Sequence, residues 1–213
     1  MRWSRGSRGG RGVAAAFGLA VVGFVLAGCT GLPTAEPSEG ASQGSKSKAP
    51  GKAMTFDLVA DQGGTVTVDV PAEPIASAPT STEGLTIELY AVQRSDNVVN
   101  VVVAAHNTGK TTIPLQDVTT NLDESPSALE HDASNIALLD AKGLKEYRTF
   151  REDGEDGPCL CSKTHDIGDN EEDDFAPGER RHYVSQVAAP PADVTKVTVL
   201  AGLGSFPDVT IEG

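Results

Sequence analysis

The fold of this 213-residue chain is decided by the stretch Val98-Val99-Asn100-Val101-Val102-Val103-Ala104-Ala105. Successive side chains of a β-strand point to opposite faces of the sheet. One predicted face is wholly apolar and should lie in the core: Val99, Val101, Val103 and Ala105. The other face is mixed and should be half-buried: Val98, Asn100, Val102 and His106. The turn residues Ser95-Asp96-Asn97 precede this strand and predict a hairpin with residues 85–90.

Short alternating β-branched runs, separated by turn residues, continue on both sides of this hairpin. The other predicted strands are 65–70, 111–115 with Pro114 at an edge or bend, 135–140, 144–150, 180–187, 194–200 and 206–211. No stretch after residue 52 has a sustained helical period. The pattern therefore predicts an all-β, antiparallel β-sandwich over residues 53–213, with its core in 84–213.

The first 28 residues are typical of a lipoprotein signal peptide, expected to be helical. Four arginines precede an apolar run at 13–26, and the run ends in Leu26-Ala27-Gly28-Cys29. The run is shorter than the roughly 20 residues of a transmembrane helix. We expect lipidation of Cys29 by a diacylglycerol, and a mature protein anchored on the extracytoplasmic face of the cell membrane. The alternatives are an uncleaved signal anchor and an ordinary secretory peptide.

The charge of the chain excludes several classes of partner. Loss of residues 1–28 removes four arginines and no acidic residue, so the net charge of −13 becomes −17. A nucleic-acid-binding protein needs a basic surface, and so does direct adhesion to anionic lipid head groups. We therefore expect no nucleic acid as partner, and contact with the membrane only through the lipid on Cys29.

Residues 29–52 predict a flexible linker that carries the lipidated cysteine. The segment is rich in Gly, Ser, Lys and Pro and has almost no large apolar residue to bury. A tether of this length spans roughly 25 Å. Two patterns of catalytic serines occur in it, Gly40-Ala41-Ser42-Gln43-Gly44 and Ser45-Lys46-Ser47-Lys48. Neither has the strand before it and the helix after it that a nucleophile elbow needs, so the sequence predicts no catalytic residue.

The acidic segments 123–132 and 152–174 are predicted to be solvated loops. The second holds ten carboxylates and a single lysine, which repel one another at neutral pH. Residues 169–174 are rich in oxygen ligands suited to Ca²⁺, but they lack the order of an EF-hand loop. We expect no bound metal and no cofactor. His106, His131 and His182 are expected to be surface or half-buried residues.

Cys159-Leu160-Cys161 is the other site with chemical character. If Cys29 is acylated, these two thiols alone are free in an oxidising compartment, and an intrachain disulfide between them is expected to fix the shape of a loop. Three alternatives stay open: a redox-active pair, a soft-metal site with His165 and a further ligand such as His182, and intermolecular disulfides.

Several of these segments together resemble a known family, the immunoglobulin-like (DUF4352-type) domains of actinobacterial envelope lipoproteins. They are residues 101–109, which end in Asn107-Thr108-Gly109, with 138–143, 159–162, 175–179 and 188–199. The last three are similar to the version that precedes OmpA-like modules. No such module is expected after Gly213, so peptidoglycan binding is not carried over.

The resemblance implies a non-catalytic interaction module, since fold alone does not fix an activity. The predicted function is a cell-surface lipoprotein that acts as a binding or envelope-scaffold module, and not as an enzyme. The expected partner is an unidentified envelope protein or ligand. Loops at one end of the sandwich, including the Cys-x-Cys loop, are expected to contact it. The alternative is a thiol-redox or metal-handling lipoprotein that uses Cys159 and Cys161.

Overall fold

A computed structural model describes residues 51–60, 64–115, 117–118, 131–154, 157–165, 174–202 and 204–213. Within these residues the chain is all-β and antiparallel, with twelve strands. The strands are β1 Lys52–Asp57, β2 Thr65–Val70, β3 Ala76–Pro79, β4 Leu85–Ser95, β5 Val98–Asn107, β6 His131–Asp132, β7 Ile136–Asp140, β8 Lys145–Arg148, β9 Lys163–His165, β10 Arg180–Ala188, β11 Lys196–Ala201 and β12 Gly204–Thr210. The described part of the chain contains no helix with the length and apolarity to cross a membrane.

Two four-stranded sheets make up most of this part of the chain. The first sheet has the order β10-β5-β4-β3, and the second sheet has the order β12-β11-β7-β8. Two small two-stranded sheets accompany them: the hairpin β1–β2, and β6 paired with β9. The predicted signal peptide, Cys29 and nearly all of the predicted linker lie outside the described residues. Lys52, the last residue of that linker, is already the first residue of β1.

The two sheets share one hydrophobic core, and β5 lies at its centre. Val101 and Val103 of β5 are fully buried there, in the same cluster as Leu138 of β7 and Val199 of β11. The face that the alternation assigns to the core is therefore the face between the sheets. At its N-terminal end, β5 is joined to β4 by the turn Asp96-Asn97.

A β-bulge in β4 lets the strand bury apolar side chains on both of its faces. The pairing with β5 shifts between Leu89 and Ala91. As a result Leu89 and Val92 belong to the core between the sheets, whereas Tyr90 and Ala91 belong to a second cluster on the opposite face of the first sheet. A bulge adds one residue to one strand and so changes the phase of the alternation.

The β1–β2 hairpin covers this opposite face, which corrects the sequence prediction. Phe56 and Val68 of the hairpin pack in one cluster with Val102 and Ala104 of β5, both of which are fully buried. The middle of the second face of β5 is thus buried, with Asn100 only 6% exposed, whereas Val98 and His106 near its ends are half-buried as expected. The alternation within β5 could not reveal this, because the covering strands β1 and β2 belong to an earlier part of the chain that is not adjacent to β5.

Residues 111–115 do not form the predicted strand. Ile113 makes one isolated bridge with Phe175, and the N–H of Leu115 donates to Asp174 Oδ1 at 3.0 Å. At the other end of the domain, residue Glu212 pairs in parallel with Gln93 of β4. The carboxyl end of the chain thereby joins the second half of β4 after the bulge.

Candidate functional site

Cys159 and Cys161 are joined by a disulfide, with their Cα atoms 5.2 Å apart. Both residues are fully buried in the core between the two sheets. The sequence placed this pair in a loop at one end of the sandwich that contacts a partner. That placement is wrong, because the described structure buries both sulfurs and leaves only Leu160 between them partly accessible.

The Cys-x-Cys segment is held on two sides by backbone hydrogen bonds. On one side the N–H groups of Val59 and Ala60 donate to the carbonyl oxygens of Cys161 and Cys159 at 2.8 and 3.1 Å. On the other side, the N–H of Gln186 in β10 donates to the carbonyl of Leu160 at 2.8 Å. The segment therefore connects the residues that follow β1 to the first sheet.

A buried carboxylate lies beside the two sulfurs. One oxygen of Asp132 and the Sγ atoms of Cys159 and Cys161 all lie within 4.8 Å of one another. The backbone places Asp132 there, because β6 pairs with β9 and the N–H of Ala133 donates to the carbonyl of Ser162 at 3.0 Å. Asp132 is 2% exposed, and its Oδ1 accepts the N–H of Ser134 at 3.1 Å.

Sequence reasoning missed Asp132, since it closes an acidic segment that was predicted to be solvated. The ligands considered instead are not assembled in the described structure. The side chain of His165 lies outside the described residues, and so do residues 169–173 of the oxygen-rich run. His182 packs its ring edge-on against Tyr90, with the ring centroids 4.7 Å apart, and Tyr90 belongs to the cluster on the opposite face of the first sheet.

A second polar cluster lies on the outer face of the first sheet, centred on Glu88. Its Oε2 accepts the Nε–H of Arg180 at 2.7 Å and the hydroxyl of Tyr90 at 3.0 Å. Its Oε1 lies 2.8 Å from His106 Nδ1. The Glu88 side chain is only 7% exposed. The strand register of β4, β5 and β10 brings these four residues together from distant parts of the sequence.

The electrostatics of this cluster favour an ion pair. Burial opposes the ionisation of Glu88, but the hydrogen bonds from Arg180, His106 and Tyr90 outweigh it and lower the pKa of Glu88. Burial and the bond to Glu88 raise the pKa of Tyr90 to about 12. Burial, and then the charge of Arg180, lower the pKa of His182. The charge of Glu88 is matched within the cluster, so its chemistry is that of a structural ion pair between a buried carboxylate and a partly exposed guanidinium.

An open groove of about 640 Å³ runs over the second sheet. It is bounded by the β7–β8 turn at residues 140–143 and by the segment that enters β11. At the edge of the groove, β12 has a bulge with one more residue than the facing stretch of β11. Asp208 lies in this bulge and has a φ of 57°. The charged residues of its lining have both signs: Asp140, Lys142, Asp193, Lys196 and Asp208.

Comparisons with known proteins identify no relative. No protein family, no curated protein and no solved structure matches this chain. The geometry of the described residues therefore carries the functional argument.

Proposed function

We propose that this chain is a lipid-anchored protein of the extracytoplasmic membrane face, and that it presents an immunoglobulin-like sandwich as a non-catalytic binding or scaffold module. The observation that carries the immunoglobulin-like part of this proposal is the order in which the chain visits the two sheets. It makes β4 and β5 in the first sheet, β7 and β8 in the second, returns with β10, and ends with β11 and β12.

This order supports an immunoglobulin-like connectivity. In such domains a strand pair of one sheet is followed by strands of the other, and later strands then join each sheet beside the earlier ones. Here β10 joins β5 in the first sheet, and β11 joins β7 in the second. The Leu26-Ala27-Gly28-Cys29 tetrad and the net charge of −17 after residue 28 support export and a membrane contact made by lipid alone.

The groove over the second sheet is the surface to which we assign binding. It is concave, has charges of both signs, and lies on the face of the second sheet that includes the partly accessible Leu139 and Thr198. Such a surface suits a polar segment of an envelope protein better than a nucleic acid or an anionic membrane, since the chain is acidic.

Two measurements on cells that express the chain test the proposal: lipidation in the membrane fraction, and crosslinking in intact cells. In a host that processes lipoproteins, we expect the wild-type chain in the membrane fraction with an acylated residue 29, and Cys29→Ser without the lipid mass. A photoreactive amino acid at Lys196, in the groove, should give protein adducts, whereas the same group at the exposed Thr67 of β2 should not. An unmodified Cys29 would overturn the anchor, and equal adducts at both positions would overturn the assigned surface.

A further inference from the structure

We propose that the reduced form of this protein binds one Zn²⁺-class cation through the Sγ atoms of Cys159 and Cys161 and a carboxylate oxygen of Asp132. This inference goes beyond the proposed binding module and does not rest on it. It assigns a chemical property to a part of the core that the module does not need.

The separation of the three ligand atoms suits this chemistry. Zinc binds thiolates at about 2.3 Å and carboxylate oxygens at about 2.0–2.2 Å in a tetrahedron, so its ligand atoms lie roughly 3.5–4 Å apart. The three atoms here lie within 4.8 Å of one another while the sulfurs are still bonded. When the S–S bond opens, the two sulfurs separate, and small side-chain rotations then bring all three ligands to zinc distance. Three protein ligands leave the fourth position of the tetrahedron to a ligand from outside the protein.

The backbone holds these ligands in place independently of the disulfide. Cys159 and Cys161 are fixed by the hydrogen bonds from Val59 and Ala60, and the adjacent Ser162 carbonyl accepts the N–H of Ala133, next to Asp132. A preorganised frame of this kind lowers the cost of assembling a metal site.

The surroundings of Asp132 provide a second, independent argument. The carboxylate is 2% exposed, and within the described residues the one hydrogen bond that it accepts comes from the N–H of Ser134. A cation bound by the two sulfurs would lie beside this carboxylate and give it a second partner in addition to the N–H of Ser134.

The redox step balances with an external dithiol or phosphine reductant. The reductant delivers two electrons to the Cys159–Cys161 disulfide, the S–S bond breaks, and two protons complete the thiols. The dithiol is oxidised to a disulfide, or the phosphine to a phosphine oxide with oxygen from water. Zn²⁺ then displaces those two protons and binds the two thiolates. The metal-bound state and the disulfide state therefore exclude each other, since both use the same sulfurs.

The test uses the full chain in detergent with Cys29→Ser, so that Cys159 and Cys161 are its only cysteines and the outcome is independent of the anchor. The chain is reduced with a phosphine under inert gas, and Zn²⁺ is titrated in competition with a chromophoric chelator. We expect one Zn²⁺ per reduced chain and none in the oxidised chain. With Cd²⁺ the reduced chain should show the ultraviolet band of a thiolate–cadmium bond.

The structure offers a closely matched pair of variants. Asp132→Asn removes the ligand, whereas Asp140→Asn alters a carboxylate that is also buried, 6% exposed, and that also accepts the N–H two residues ahead, at 3.0 Å from Lys142. Asp132→Asn should weaken Zn²⁺ binding by at least about 10-fold, and Asp140→Asn should not. Equal affinities of the two variants, or no stoichiometric binding by the reduced chain, would overturn the site.

Circular dichroism of each sample keeps the test decisive if reduction loosens the fold. In that case Zn²⁺ should restore the β-sheet spectrum, because metal binding is then coupled to folding. Zinc that binds the unfolded chain without restoring the spectrum, and with no dependence on Asp132, counts against the proposal.

Discussion

Replacement of Glu88 by Gln should destabilise the domain strongly at neutral pH and weakly in acid. The variant keeps the shape of the side chain and can still accept the Tyr90 hydroxyl, but it loses the charge that pairs with Arg180. In the wild-type chain Arg180 donates twice to this carboxylate, at 2.7 and 3.3 Å. The side chain of Glu88 is 7% exposed and that of Arg180 is 37% exposed.

The magnitude follows from these exposures. Removal of one partner of a buried ion pair costs about 3–5 kcal/mol, because the other charge stays buried without compensation. Arg180 is more than a third exposed, so water can solvate its guanidinium once the pair is lost, and the cost is reduced to about 2 kcal/mol. For a domain of this size that corresponds to a decrease in Tm of about 6 °C.

The lowered pKa of Glu88 determines how the effect of Glu88→Gln on stability changes with pH. The pKa of Glu88 in the folded protein is lowered, so its contribution to the free energy of unfolding is present above the ordinary glutamate pKa of about 4.3 and is lost as pH falls through the lowered pKa. The difference between wild type and Glu88→Gln should therefore shrink as the pH falls below about 4.

Urea denaturation at pH 7 and at acidic pH measures both effects, with m-values compared to confirm that the unfolded states are alike. Glu146→Gln is the control, since its ion pair with Arg148 lies on the surface, with both side chains more than 40% exposed, and should change stability by less than about 1 kcal/mol. A Glu88→Gln variant as stable as this control at pH 7, or one whose deficit is the same in acid, would refute the reasoning.

Three further predictions use single substitutions and the same denaturation assay. Val102→Ala should cost about 2 kcal/mol, as much as Val103→Ala, because both faces of β5 are covered; a much smaller loss would mean that the hairpin β1–β2 does not cover Val102. His182→Phe should reduce the loss of stability as pH falls below about 6.5, since the lowered pKa of His182 means that the unfolded chain binds this proton more readily; unchanged acid sensitivity would contradict it. Tyr183→Phe should stabilise the domain by about 1 kcal/mol, because its buried hydroxyl has no hydrogen-bond partner in the described structure; a destabilised variant would show that the hydroxyl has a partner.

Strands with a clear period-2 pattern were predictable from the sequence alone. Residues 98–105, flanked by the turn Ser95-Asp96-Asn97, indicated β5 and its hairpin with β4, and residues 65–70 match β2. In contrast β1 and β3 carry little local signal, since Phe56 is the one fully buried side chain of β1 and β3 reads Ala-Ser-Ala-Pro. These two strands form because a neighbouring strand offers hydrogen-bond partners, which is information from elsewhere in the chain.

The site at Cys159 and Cys161 was likewise only partly predictable from the sequence. The chemical character of Cys159 and Cys161 was visible in the sequence, but their burial and their neighbour Asp132 were not. Asp132 stands at the end of an acidic run, where carboxylates are usually solvated. Only the pairing of β6 with β9 moves it into the core.

By itself, the sequence determined the all-β class, the positions of the main strands, the acidic charge and the prediction of a lipid anchor, because alternation, turn residues and composition are local properties. The tertiary structure alone decided which faces are covered and which distant side chains meet. Glu88 and Arg180 are 92 residues apart and share one ion pair, since strand register, set by backbone hydrogen bonds between remote segments, fixes which side chains lie side by side.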